Sequence, residues 1–135
     1  MRSSRDLFPE ADTDYFSVGD YYPILESFGE VLLLVDDENY QGDSRVLYLR
    51  GDKIGILFFG WGSCSGCDSL QACNNHEEVD SLMQSLYESI EWRSPKDTLY
   101  YLDNHDWAGD WTHNDEETRK FISKAREIVS GMVKN

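Results

Sequence analysis

The sequence predicts an α+β fold: a three-stranded antiparallel meander covered by three to four helices in a single domain. Three observations carry this. Apolar runs at Glu30–Val35, Arg45–Arg50 and Lys53–Phe59 follow one another with short connections, as strands of a meander do. Apolar residues at helical spacing lie mostly in the C-terminal half, after the strands. The chain has 135 residues, enough for one core and few for two.

Residues 1–18 read as an acidic N-terminal arm with a break at Phe8-Pro9, either a poorly ordered lead-in or an arm laid over the surface. Residues 19–135 form the predicted domain. Its first helix, 20–28, has Asp20 as cap, Pro23 early and Gly29 at its end. Glu30–Val35 is a buried strand leading into the acidic loop of Asp36, Asp37 and Glu38. The second and third strands meet at Gly51-Asp52, a two-residue turn with glycine first, as primed hairpin turns prefer. Lys53–Phe59 has no polar face, which predicts a strand that is central or covered on both sides.

The clearest helix is predicted over 76–92. Asn75 and Glu78 stand at capping-box spacing, and Val79, Leu82, Met83, Leu86, Tyr87 and Ile90 form its stripe. Ser94-Pro95 restarts a helix over about 95–103. Asn114 as cap and Glu117 three residues on open a last helix over 114–132. Between these two helices lies an aromatic-acidic loop with His105, Asp106, Trp107, Asp110, Trp111 and His113.

Charge narrows the function classes. There are 26 acidic and 12 basic side chains, a net charge of −14. A polyanion repels DNA, RNA and anionic membranes, so the expected partner is a protein with a basic surface, with no direct nucleic acid and no membrane. The acids are segregated: residues 1–43 carry 11 acids against 2 bases, and residues 97–117 carry 7 acids and no Lys or Arg. Asp36, Asp37, Glu38, Asp103, Asp106, Trp107, Asp110 and Trp111 are the candidate binding residues. The two N-terminal arginines have no apolar run behind them, so no targeting segment is expected and the location reads as cytoplasmic, with reduced thiols.

All three cysteines lie in one turn after the third strand. Cys64, Cys67, Cys73 and His76 give the spacing C-x2-C-x5-C-x2-H, four N/S ligands of the kind a zinc tetrahedron needs. His105 and His113 are alternative partners for Cys64 and Cys67. A thioredoxin-like redox reading of C-x-x-C is weakened by the preceding meander and by Asp68 beside the motif. The competing reading is packing: cysteine behaves as a small hydrophobe, and Gly60, Gly62 and Gly66 simply turn the chain.

The run Phe59-Gly-Trp-Gly-Ser-Cys-Ser-Gly-Cys-Asp-Ser-Leu-Gln, with Tyr40-Gln-Gly-Asp-Ser-Arg-Val-Leu-Tyr upstream and His105-Asp-Trp-Ala-Gly-Asp-Trp downstream, resembles an uncharacterised group of small acidic proteins of phages and of bacteria such as actinobacteria. The likeness spans roughly residues 30–130. It implies a phage or bacterial setting, a host cytoplasm if the gene is phage-borne, and draws attention to Cys64, Cys67, His105 and His113. It implies no catalytic role.

Two functional readings follow. One is an acidic, non-enzymatic binding protein, an inhibitor that mimics nucleic-acid charge toward a basic host factor, with the cysteine turn as a structural or zinc staple. The alternative is a thiol- or metal-dependent enzyme using the C-x-x-C motif.

Overall fold

The computed structural model describes residues 2–11, 16–37, 42–62, 68–107, 109 and 115–133. Within them the fold is α+β: one antiparallel sheet in the order β1-β2-β3-β4, with helices on both faces. The strands are β1 (Glu30–Asp36), β2 (Gly42–Arg50), β3 (Lys53–Trp61) and β4 (Glu91–Arg93). The helices are α1 (Ser4–Leu7), α2 (Tyr22–Ser27), α3 (His76–Glu88), α4 (Pro95–Asn104) and α5 (Glu116–Ser130).

The sheet has four strands where the sequence predicts three. The residues of β4 fall at the end of the predicted helix 76–92. That helix stops at Glu88, and Ser89 caps it through hydrogen bonds from its N–H to the last carbonyls. Ile90 still packs in the core that the helix faces, so it extends the apolar stripe without being helical. Trp92 then pairs with Gly55 on β3.

Side chains alternate across the sheet and build two cores. Val46, Tyr48 and Leu57 point to one face and pack with Ile24, Leu25, Phe28, Val79 and Met83 from α2 and α3. Leu47, Ile54 and Ile56 point to the other and meet Leu102, Phe121, Ala125 and Val129 from α4 and α5. This explains the absence of a polar face on β3: it lies between two strands with an apolar core on each side. A register shift between Val31 and Leu33 inserts one residue in β1, which sets both Leu32 and Leu33 against the second core.

The β2–β3 turn is the predicted two-residue turn. Arg50 pairs with Lys53, and Gly51 holds φ +62°. At α3, Asn75 accepts from the Glu78 N–H at 2.8 Å, while the Glu78 carboxylate reaches the Asn74 N–H rather than closing the reciprocal bond. α2 is shorter than the predicted helix 20–28, and Asp20 Oδ1 accepts from the Tyr22 N–H at 2.9 Å, ahead of its first turn. The last helix is capped by Asp115, which accepts from the Thr118 N–H; the predicted cap Asn114 lies outside the described residues.

The start of the N-terminal arm, α1, lies on α3. Its short helix is closed by a capping box between Ser3 and Asp6. The Ser4 N–H donates to Asp80 Oδ1 at 2.6 Å, and Ser4 Oγ lies 2.7 Å from His76 Nδ1 in a buried contact. Leu7, Phe8, Ala11 and Phe16 pack against the first core.

Candidate functional site

One end of the sheet collects the features that the sequence scatters. Asp36 pairs with Ser44, and Gly42 pairs with Trp61, so the end of β1, the start of β2 and the end of β3 lie side by side. The Gly51 turn and β4 occupy the opposite half. The acidic stretch after β1 and the cysteine turn after β3 therefore leave the sheet at the same end.

Arg45 brings α5 to that end. Its guanidinium is buried at 2 % exposure. Nε donates to Thr118 Oγ1 at 2.9 Å, Nη1 to Asp37 Oδ1 at 3.0 Å and to the Asp43 carbonyl at 3.3 Å, and Nη2 to Asp115 Oδ2 at 2.9 Å. A buried cation needs partners of this number and geometry. The Asp115 carboxyl lies below the ordinary carboxylate range: burial opposes this, and the hydrogen bond with Thr118 and the charge of Arg45 outweigh it. One arginine thus joins the acidic loop after β1 to the N-terminus of α5, which closes the second acidic segment of the chain.

Trp107, at the start of the aromatic-acidic stretch, lies beside this junction. Trp107 packs on Phe58, the residue paired with Arg45 across the strands, at a ring distance of 6.3 Å. Its indole N–H donates to the Leu102 carbonyl at 3.1 Å. His105 sits edge-on to Trp107 at 4.2 Å. Among the candidate binding residues, Asp37 and Asp103 are engaged by Arg45 and Arg126, whereas Asp36 and Asp106 are exposed and pair with no Lys or Arg among the described residues. Glu38, Asp110 and Trp111 lie outside the described residues.

The cysteine turn is closed by Asp68, which the sequence marks only as an acid beside the C-x-x-C motif. Asp68 is buried at 3 % exposure. Its Oδ1 accepts from the Gly62 N–H and the Tyr21 hydroxyl, both at 3.0 Å, and its Oδ2 from the Gln71 N–H at 2.9 Å. Gln71 Nε2 donates back to the Gly62 carbonyl at 3.1 Å. Gly62 and Asp68 bracket residues 63–67, so this carboxylate ties the two ends of that segment together. The Tyr21 hydroxyl, which also accepts from the Leu70 N–H, is raised well above its ordinary pKa by burial and by its bond to Asp68. The only sequence signal for this clamp is an acid directly after C-x-x-C.

Of the predicted metal ligands, Cys64, Cys67 and His113 lie outside the described residues. Cys73 is buried, its Sγ 3.3 Å from the Ser69 carbonyl to which the thiol donates. Burial, then Glu78 and Asp68, push that thiol up. His76 opens α3, with the Phe16 ring edge-on at 5.1 Å. Cys73 sits in the first core and His105 lies against Tyr101 and Trp107 of the second, so the sheet separates them. Among the described residues no group of three or more His, Cys, Asp or Glu side chains gathers around a metal position. No described helix is long and apolar enough to cross a membrane.

A small cleft opens at the same end. Its volume is about 190 Å³, and Asp20, Tyr21, Tyr22, Asp36, Ser44 and Trp61 line it. Trp61 Nε1 donates to Ser44 Oγ at 2.8 Å, and the Ser44 hydroxyl in turn donates to Asp36 Oδ1. The fold and this end define the class in structural terms only: a small acidic α+β protein in which the acidic end of β1, the acidic N-terminus of α5 and the residues flanking the cysteine turn meet at one end of the sheet. Comparison of the chain with protein-family models, curated proteins and solved structures finds no match.

Proposed function

We propose that this chain is an acidic, non-enzymatic binding protein whose acidic end occupies a basic protein groove in place of nucleic-acid phosphates. In the phage or bacterial setting that the sequence resemblance implies, such a protein inhibits a host nucleic-acid-binding factor. One observation carries the reading: strand register and Arg45 bring the acidic end of β1 and the acidic N-terminus of α5, from the two halves of the sequence, to one end. A net charge of −14 spread evenly serves solubility, whereas charge gathered at one end steers a partner. The cysteine turn is the staple of that end. Its closure by Asp68 and the buried thiol of Cys73 support a structural role; zinc on Cys64, Cys67, Cys73 and His76 would need that thiol deprotonated, and metal analysis of the purified protein tests it.

The test is the salt dependence of binding to a basic polypeptide such as polyarginine. Affinity is expected to fall at least about tenfold between about 50 and about 200 mM salt, and excess DNA is expected to release the polypeptide by competing for it. Affinity unchanged across that range overturns the reading.

A further inference from the structure

The cleft beside Asp36 has a chemistry narrower than that of a charged surface. Among the described residues two carboxylates reach it, and no Lys, Arg or His lines it. Each carboxylate is pinned by one oxygen: Asp20 Oδ1 accepts from the Tyr22 N–H at 2.9 Å, and Asp36 Oδ1 accepts from Ser44, itself held by the Trp61 indole. The second oxygen of each takes no hydrogen bond among the described residues. Among the described residues three aromatic side chains complete the walls: Tyr21 and Trp61, half-buried, and Tyr22, which is 47 % exposed although it opens a helix that faces the core. Tyr21 is held through its hydroxyl by Asp68, and Trp61 through its indole by Ser44, so two of the three rings are fixed before any ligand arrives.

Fixed acceptors and aromatic faces in a space of about 190 Å³ suit an organic cation. A metal ion fits less well, since no third carboxylate, His or Cys joins the two acids among the described residues. A guanidinium fits better than an ammonium, because it is planar, stacks on rings and donates to two acceptors at once. We propose that this cleft binds a guanidinium group, and that it takes one arginine side chain of the basic partner as the anchor of the complex. The proposal rests on the acidic-end reading for the identity of the partner, and on the cleft alone for the chemistry.

The experiment is an NMR titration of the full chain with N-acetyl-arginine amide, following the Trp61 indole N–H, with Mg²⁺ as the metal control. A saturable 1:1 shift is expected, absent with Mg²⁺. It should weaken at least about tenfold in Asp36→Asn, which keeps the acceptor for Ser44 but removes the charge. Tyr22→Ala, at an exposed ring, should weaken it as well and decides the matter if Asp36→Asn fails to fold. No saturable shift at Trp61, or a shift that both variants leave unchanged, overturns the proposal. The same samples titrated with polyarginine separate the two claims. Salt-sensitive polyarginine binding without a response to the blocked amino acid overturns the cleft and leaves the acidic end standing. A Trp61 response without polyarginine binding supports the cleft and overturns the acidic-end reading.

Discussion

Tyr48 holds a buried polar atom with nothing to bond among the described residues. Its side chain is fully buried between Phe28 and Trp92, and its hydroxyl has no hydrogen-bond partner among the described residues. Burial alone raises its pKa well above the ordinary tyrosine value. An unsatisfied buried hydroxyl costs on the order of 1 kcal/mol or more. Tyr48→Phe keeps the ring contacts and is therefore expected to raise stability by about 1 kcal/mol in urea unfolding; a loss of stability would show that the hydroxyl has a partner after all. Asp115 gives the opposite kind of prediction. Its folded pKa lies below the ordinary value of 3.8, so its contribution is present above that value and is lost as pH falls through 3.8 toward the folded pKa. Asp115→Asn retains a cap for α5 but drops the charge facing Arg45. It should lower stability at neutral pH and flatten the acid limb of the stability curve below about pH 4. At this scale sequence reasoning reached the local bonds, as at Asn75 and Glu78, because a cap needs only residues a turn apart. The roles of Asp68 and Arg45 were not legible there, because each depends in part on partners tens of residues away: Tyr21 for Asp68, and Asp115 and Thr118 for Arg45.

At the scale of elements, long periodic segments were legible and the short one was not. The meander, the two-residue turn at Gly51 and the burial of β3 on both sides all follow from patterns within a dozen residues. β4 has three residues, too few to show alternation, and Ile90 continues the stripe of α3 into the same core. What fixes β4 is a gap on its neighbour. A Cβ at Gly55 would lie 2.7 Å from Ile90 Cγ2 and 2.8 Å from Trp92 Cε3. Gly55→Ala is thus expected to push Ile90 and Trp92 off β3 and to cost about 1–3 kcal/mol. Hydrogen exchange should report the loss first at the β3–β4 pairs around Ile54 and Ile56. Exchange at those amides as slow as in the parent chain would mean that the edge strand is held by something other than this contact.

At the scale of the molecule, charge segregation was visible along the chain but its convergence was not. The acidic end of β1, the acidic N-terminus of α5 and the residues flanking the cysteine turn are far apart in sequence, and strand register and one buried arginine put them at one end. Two of the acids so gathered, Asp37 and Asp115, serve Arg45, while Asp20 and Asp36 line the cleft and Asp106 stands exposed. The acidic end is therefore partly a joint and partly a surface. The most direct test of its role is to map backbone amide shifts of the full chain during titration with polyarginine at low salt. The account predicts shifts concentrated at Asp36, Asp37, Asp43, Gly62 and Asp115, with little change at the Gly51 turn and β4. Shifts spread evenly over the chain, or centred on the Gly51 turn, would contradict it.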